Sequence, residues 1–149
     1  MPAPHHRLIQ VTECLMGEFE LFARKAHHKR LSLQFLVPDG LPPLLIDVVS
    51  FARVFHLLVN RALDVTFTGG VIVRAKRAAG GILFRVEDGG PWVAPRDIPR
   101  LFFSSSSEAD LVMAAQLARR LEGLLTVTSG LEQKGLRVRL FVPMVPTLC

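Results

Sequence analysis

The chain has 149 residues, half of them apolar and 21% charged, with 18 Lys+Arg against 13 Asp+Glu for a formal charge of +5. That length and balance indicate one compact domain with a buried core and exclude an intrinsically disordered segment. Cys14 and Cys149 exclude a disulfide framework, and the longest apolar runs, 41–46 and 55–59, are far too short to span a bilayer. The N-terminus has no apolar signal core, so a cytoplasmic location is expected. Arg24, Arg53, Arg74, Arg85, Arg119 and Arg137 are scattered along the sequence rather than gathered on one element. This favours solvated surface over a nucleic-acid face.

In chain order, Leu8, Val11, Leu15, Phe19, Phe22 and Ala26 recur at steps of three and four, which predicts an amphipathic helix over 7–27. Leu31, Leu33 and Phe35 alternate with Ser32 and Gln34 and predict a strand, closed by a turn at Pro38-Asp39-Gly40. Phe51, Val54, Phe55, Leu58, Ala62 and Val65 make the clearest helical stripe, with Ser50 as its N-cap and Gly69-Gly70 as its end. Strands over 71–77 and 82–87 follow, joined as a hairpin at Ala78-Ala79-Gly80-Gly81. Residues 88–107 read as loop. A third helix fits 108–122, stopped by Gly123, and strands fit 124–128 and 136–142. The order α-β-α-β-β-loop-α-β-β predicts an α/β two-layer sandwich, a mixed sheet of about five strands packed on three helices.

Five boxes in matching order carry a resemblance to a known family. Val86-Glu87-Asp88-Gly89-Gly90-Pro91-Trp92-Val93 resembles the D-x-G-x-G-I box of the histidine-kinase ATPase domain, a member of the GHKL superfamily. Residues 19–44 look like the lead-in segment of hybrid sensor kinases. Residues 47–70 resemble the D-P-x-R-L-x-Q-V-L-x-N-L-L-x-N-A-x-x-x-T-x-x-G-G helix. Ile98-Pro99-Arg100-Leu101-Phe102 looks like the phenylalanine box, and 116–143 matches the closing helix, glycine, strand, turn, glycine, strand and proline. The resemblance implies a single Bergerat-type domain over 1–149. Its parts would be a lead-in helix in 1–28, the asparagine-box helix in 47–66, a glycine-box loop and shortened lid in 88–107, and a third helix in 108–122.

The resemblance also implies four devices that hold ATP and Mg²⁺, and this sequence departs from most of them. The register that aligns Asp47, Ala62-Leu63-Asp64 and Gly69-Gly70 puts Arg61 at the place of the metal-binding asparagine. Asn60 is then about 100° away round the helix. A guanidinium has no lone pair for a metal. The favoured reading makes Arg61 a helix-surface residue paired with Asp64 at i+3; the other makes it a phosphate contact. Asp88 matches the aspartate that accepts the adenine amino group, with a plain Asp-Gly turn as the equal alternative. Gly90 matches the first glycine, but Trp92 stands where the second lets backbone approach the nucleotide. Only four serines separate Phe103 from Glu108, so the lid is shortened. Glu108-Ala109-Asp110-Leu111 replaces the G-x-G-L box and puts acids where phosphate would sit. If nucleotide binds, the candidate contacts are Asp88, Gly90, Arg61 and Asp64. The departures fall at Arg61, Trp92, Glu108 and Asp110.

No phosphoacceptor box surrounds His5, His6, His27, His28 or His56; His27-His28 reads as solvated helix surface and His56 as a partly buried polar residue. No catalytic residue, metal site or cofactor is nominated. The reading is a degenerate histidine-kinase-like ATP-binding domain, inactive alone, that serves as a binding or regulatory module in two-component signalling. Two alternatives stay open. One is a working ATP-binding catalytic domain that phosphorylates a histidine on a separate dimerisation domain, with Mg-ATP as its cofactor. The other is a protein- or nucleic-acid-interaction domain outside the phosphorelay. Expected partners are a histidine-phosphotransfer bundle or a receiver domain, or a second copy, with no membrane; nucleic acid is disfavoured and belongs to the last alternative alone. Trp92, Leu101, Phe102 and Phe103 form the candidate docking surface. Alternatively Phe102 and Phe103 enter the core and Trp92 plugs the nucleotide pocket.

Overall fold

A computed structural model describes residues 6–102 and 109–144. The elements run β1 (His6–Ile9), α1 (Val11–His28), β2 (Ser32–Leu36), β3 (Leu44–Asp47), α2 (Val48–Val65), β4 (Gly70–Ala78) and β5 (Gly81–Glu87). A 3-10 segment at Pro95–Phe102 follows, then α3 (Ala109–Arg120), β6 (Leu124–Ser129), a short 3-10 turn at Leu131–Gln133 and β7 (Leu136–Pro143). Five strands form one sheet in the order β2-β4-β5-β7-β6, with β2 and β4 parallel and the other neighbours antiparallel. The predicted α/β two-layer sandwich, a mixed sheet of five strands on three helices, is the one observed.

Strand alternation decides which face the helices cover. Val71, Val73 and Ala75 of β4, Ile82, Phe84 and Val86 of β5, and Val138, Leu140 and Val142 of β7 are buried in one core with the helix stripes. On α2 that stripe is Phe51, Val54, Phe55, Leu58 and Ala62, all at most 2% exposed. Phe51, Phe55 and Phe84 meet edge-on with centroids 4.9, 5.6 and 5.1 Å apart, tying the helix layer to the middle strand. Edge-on rings place positive edges on negative faces, a contribution of about 1 kcal/mol per pair beyond area burial.

The structure corrects several boundaries. The first helix begins at Val11 rather than residue 7, because His6–Ile9 instead pairs antiparallel with Leu44–Asp47. Neither strand of that ribbon was predicted. Asp47, not Ser50, caps α2: its Oδ1 accepts from the Val49 and Ser50 N–H groups at 3.1 and 3.2 Å, while Ser50 itself is buried. The predicted 88–107 loop holds the 3-10 segment. The predicted third helix ends at Arg120, and Glu122 rather than Gly123 takes the positive φ, 58°. Among the described residues no helix is long and apolar enough to cross a membrane.

Candidate functional site

The site begins with a charge on the wrong face of a helix. Arg61 lies three residues beyond Leu58 and seven beyond Val54, so α2 delivers it into the buried layer rather than to solvent. Its side chain is 6% exposed, and a guanidinium so placed requires an anion. That anion is Asp88, 3% exposed, at the end of β5; Arg61 Nη1 donates to its Oδ2 at 3.1 Å. Asp88 Oδ1 accepts from the Gly90 N–H at 2.9 Å and the Leu136 N–H at 3.3 Å. Burial pushes the Asp88 carboxyl above its ordinary value of 3.8; the Gly90 N–H, the Arg61 charge and the Leu136 N–H pull it part of the way back.

The surrounding backbone is fitted to this pair. Thr66, fully buried at the end of α2, donates from Oγ1 to the Ala62 carbonyl at 2.7 Å and accepts from the Gly89 N–H at 3.0 Å. A Cβ on Gly90 would sit 2.7 Å from the Val65 carbonyl oxygen. Gly135 approaches from β7's side with φ +58°, and a Cβ there would lie 2.0 Å from the Asp88 carbonyl oxygen. Only glycine fits both the backbone angle and the contact. Thr66 and Gly135 were not singled out in the sequence; the T-x-x-G-G ending of α2 carried the signal for the first.

The expected Arg61–Asp64 pair is not formed. Asp64 points the other way, 59% exposed, and binds Lys25 Nζ at 2.6 Å, while Lys25 also donates to Asn60 Oδ1 at 2.9 Å. Asn60 and Asp64 therefore share an outer face with α1, and Arg61 turns inward to Asp88. The structure thus brings Arg61, Asp88 and Gly90 together and leaves Asp64 outside. His56 is exposed rather than partly buried and pairs with Glu18 at 2.8 Å. His27 and His28 are exposed on α1.

Trp92 is 38% exposed and donates from Nε1 to the Gly130 carbonyl at 3.3 Å, leaning on the β6–β7 connection. Leu101 and Phe102 are half-buried and pack against the core. Asp110 is half-buried in the first turn of α3. Phe103, the serine run and Glu108 lie outside the described residues, so the lid and the first acid of the replaced phosphate box do too. Among the described residues no group of three or more His, Cys, Asp or Glu could hold a metal ion.

A cavity of about 580 Å³ opens on the side of Asp88 away from α2, between Gly69, Ile72, Glu87, Lys134 and Arg137. It leads onto the face of the sheet that no described element covers. There Arg74, Arg85 and Arg137, three of the arginines scattered in the sequence, come together with Arg139. Arg74 pairs across to Arg85 and Arg85 to Arg139, one row of three strands, with Arg137 opposite Glu87 in the next row.

No family profile matches the chain. A stretch of 82 residues, 54% of the chain, is 34% identical to the alginate biosynthesis sensor protein KinB of Pseudomonas aeruginosa and spans 14% of that protein. Full-length ShkA in complex with AMPPNP superposes with a TM-score of 0.83 at 24% identity, over 99% of this chain and 33% of that one. Histidine kinase ThkA in complex with the response regulator TrrA gives 0.83 at 15% identity, over 95% of this chain and 42% of ThkA. AdeS of Acinetobacter baumannii gives 0.79 at 14% identity, over 97% of this chain and 70% of AdeS. The chain has the fold of the histidine-kinase catalytic domain, as the boxes in the sequence imply.

Proposed function

We propose that this chain is a histidine-kinase-like module of two-component signalling that no longer handles Mg-ATP and works by binding a partner. The observation that carries the reading is the Arg61–Asp88 pair. At the position where the resemblance expects a metal ligand, Arg61 supplies a permanent cation. Its guanidinium also engages the carboxylate that the resemblance expects to meet adenine, and the other carboxylate oxygen is taken by Gly90 and Leu136. Turning Asp88 toward a ligand would break the Arg61 contact and the two backbone hydrogen bonds at a buried carboxylate, a penalty of several kcal/mol. The residues present do not fit Mg-ATP held in the family's way.

What the scaffold retains is surface. The ThkA complex pairs a kinase of this fold with a response regulator. By analogy, a receiver domain or a histidine-bearing bundle would dock here on the loop that carries Trp92, with Leu101 and Phe102 as its half-buried footing. A thermal-shift titration with Mg-ATP tests the nucleotide half of the proposal. Ligand at a hundredfold excess over its Kd adds about 2.7 kcal/mol, so a flat series is expected. A Mg-dependent rise in melting temperature would restore the reading of a working ATP-binding domain.

A further inference from the structure

The uncovered face of the sheet has a composition that the nucleotide reading does not explain. Counting same-face positions across the register, β4 contributes Ile72, Arg74 and Lys76, β5 Leu83, Arg85 and Glu87, and β7 Arg137, Arg139 and Phe141. β6 adds Leu124, Thr126 and Thr128, and β2 adds Gln34 and Leu36. Five cations stand against one carboxylate, a surplus of four on a chain whose whole formal charge is +5. Glu87 is shared between Arg74 Nε at 3.1 Å and Arg85 Nη1 at 3.4 Å. Among the described residues Lys76, Arg137 and Arg139 have no carboxylate.

Two further details indicate a ligand. Among the described residues Arg85 Nε and Arg139 Nε have no hydrogen-bond partner, and neither has Thr128 Oγ1 on the same face, so the row holds donors that the sheet itself does not use. Leaving such donors unmade is unfavourable, and Nε with its neighbouring Nη is the edge that grips a carboxylate with two parallel bonds. Like charges directly opposite on adjacent strands also repel; Glu87 offsets this between Arg74 and Arg85, whereas the Arg85–Arg139 pair has no described carboxylate at Arg139. A groove of about 370 Å³ lies beside Arg74, Lys76 and Arg85 and continues past Glu87 and Leu131 into the cavity beside Lys134.

We propose that this face docks an acidic polypeptide segment with apolar residues between its carboxylates. Three leucines supply the apolar part of the match: Leu36, Leu124 and Leu131 are 44, 63 and 64% exposed around the cations. Single-stranded nucleic acid would want several aromatic platforms for its bases, and this face offers Phe141 alone. The surface lies on the opposite side of the sheet from α2, so the inference stands whether or not ATP binds.

The test is fluorescence anisotropy of the full chain with a labelled peptide alternating glutamate and leucine, at physiological ionic strength. Saturable binding is expected, weakened at least about tenfold by Arg85→Glu/Arg139→Glu. Arg74→Glu/Lys76→Glu should do the same at more exposed positions, which guards against a folding defect in the first pair. Arg119→Glu/Arg120→Glu on α3 makes the same change of net charge elsewhere and should leave affinity within about twofold. No binding, or equal loss with the α3 pair, would overturn the proposal. Tighter binding to a single-stranded oligonucleotide or to phosphatidylserine vesicles, lost with the same sheet variants, would overturn it in favour of a phosphate-bearing partner.

Discussion

Two regions of this molecule use the same side chain in opposite ways, and they lie on opposite faces of one sheet. Behind the sheet Arg61 is enclosed with Asp88, whose oxygens are all engaged. On the front Glu87 serves Arg74 and Arg85, while among the described residues Arg137 and Arg139 have no carboxylate. The comparison teaches that an arginine's role is set by how many acceptors the fold supplies around it. A matched guanidinium closes a site, whereas an unmatched row advertises for an anion.

The closed side should be by far the more sensitive to substitution. Arg61→Met leaves the Asp88 carboxyl buried without its cation and should lower stability by about 3–5 kcal/mol. For a chain of this size that is a fall in melting temperature on the order of 10 °C. In a double-mutant cycle with Asp88→Asn, strict additivity of the two urea-unfolding losses would show that the pair is not coupled. The pH dependence has a definite sign. The folded carboxyl titrates above its ordinary 3.8, so the folded state holds that proton longer than the unfolded chain. Stability from this group is fullest below the unfolded value, declines as pH rises from there through the folded pKa, and is level above it. The stability gap between the parent chain and Asp88→Asn should therefore shrink with rising pH across the acidic range; a widening gap would contradict the raised pKa.

Gly135→Ala comes next, at about 3 kcal/mol, since φ +58° and a Cβ 2.0 Å from the Asp88 carbonyl oxygen combine strain with overlap. A loss under about 0.5 kcal/mol in urea unfolding would mean that the β7 approach is looser than described. Trp92→Ala should remove only about 1 kcal/mol, because the indole is 38% exposed. A loss of about 3–5 kcal/mol would identify Trp92 as a plug in the space beside Asp88. The smallest effect has the opposite sign. Arg139→Gln relieves the cross-strand repulsion and should raise stability by about 0.5 kcal/mol at low salt, a gain that fades as salt is added. Destabilisation by this substitution would show that the row is already neutralised.

Much of this was legible before any coordinates. The stripes of α1 and α2, the β4–β5 hairpin and the closing strands all carry a regular period, and the period is what burial on one face imposes. The ribbon of β1 and β3 was missed because strands of four residues, the second directly after Pro42-Pro43, are too short to establish a period. Arg61 was assigned to Asp64 on spacing alone, although its offset from Leu58 and Val54 already placed it on the buried stripe. Its partner could not be read, since contact between residues 61 and 88 depends on how α2 crosses the sheet. The arginine row was half-visible for the same reason. Arg74, Arg85, Arg137 and Arg139 each alternate with buried Val, Phe or Leu, which fixes their face. Their adjacency follows from strand order, which no local pattern encodes.

That alternation has a consequence for how the chain finds its structure. If β5 paired with β4 or β7 one residue out of register, every side chain would change faces. Arg85 would turn toward Phe51 and Phe55, and Phe84 would be pushed into water. Each misplaced guanidinium would lose its hydration with no acid nearby, an error of several kcal/mol per residue. Three neighbouring strands carry the same safeguard at the same level, so a slipped hairpin is rejected at each successive pairing step. The row of cations thus acts as a proofreading device for assembly, independent of anything it binds once the sheet is complete.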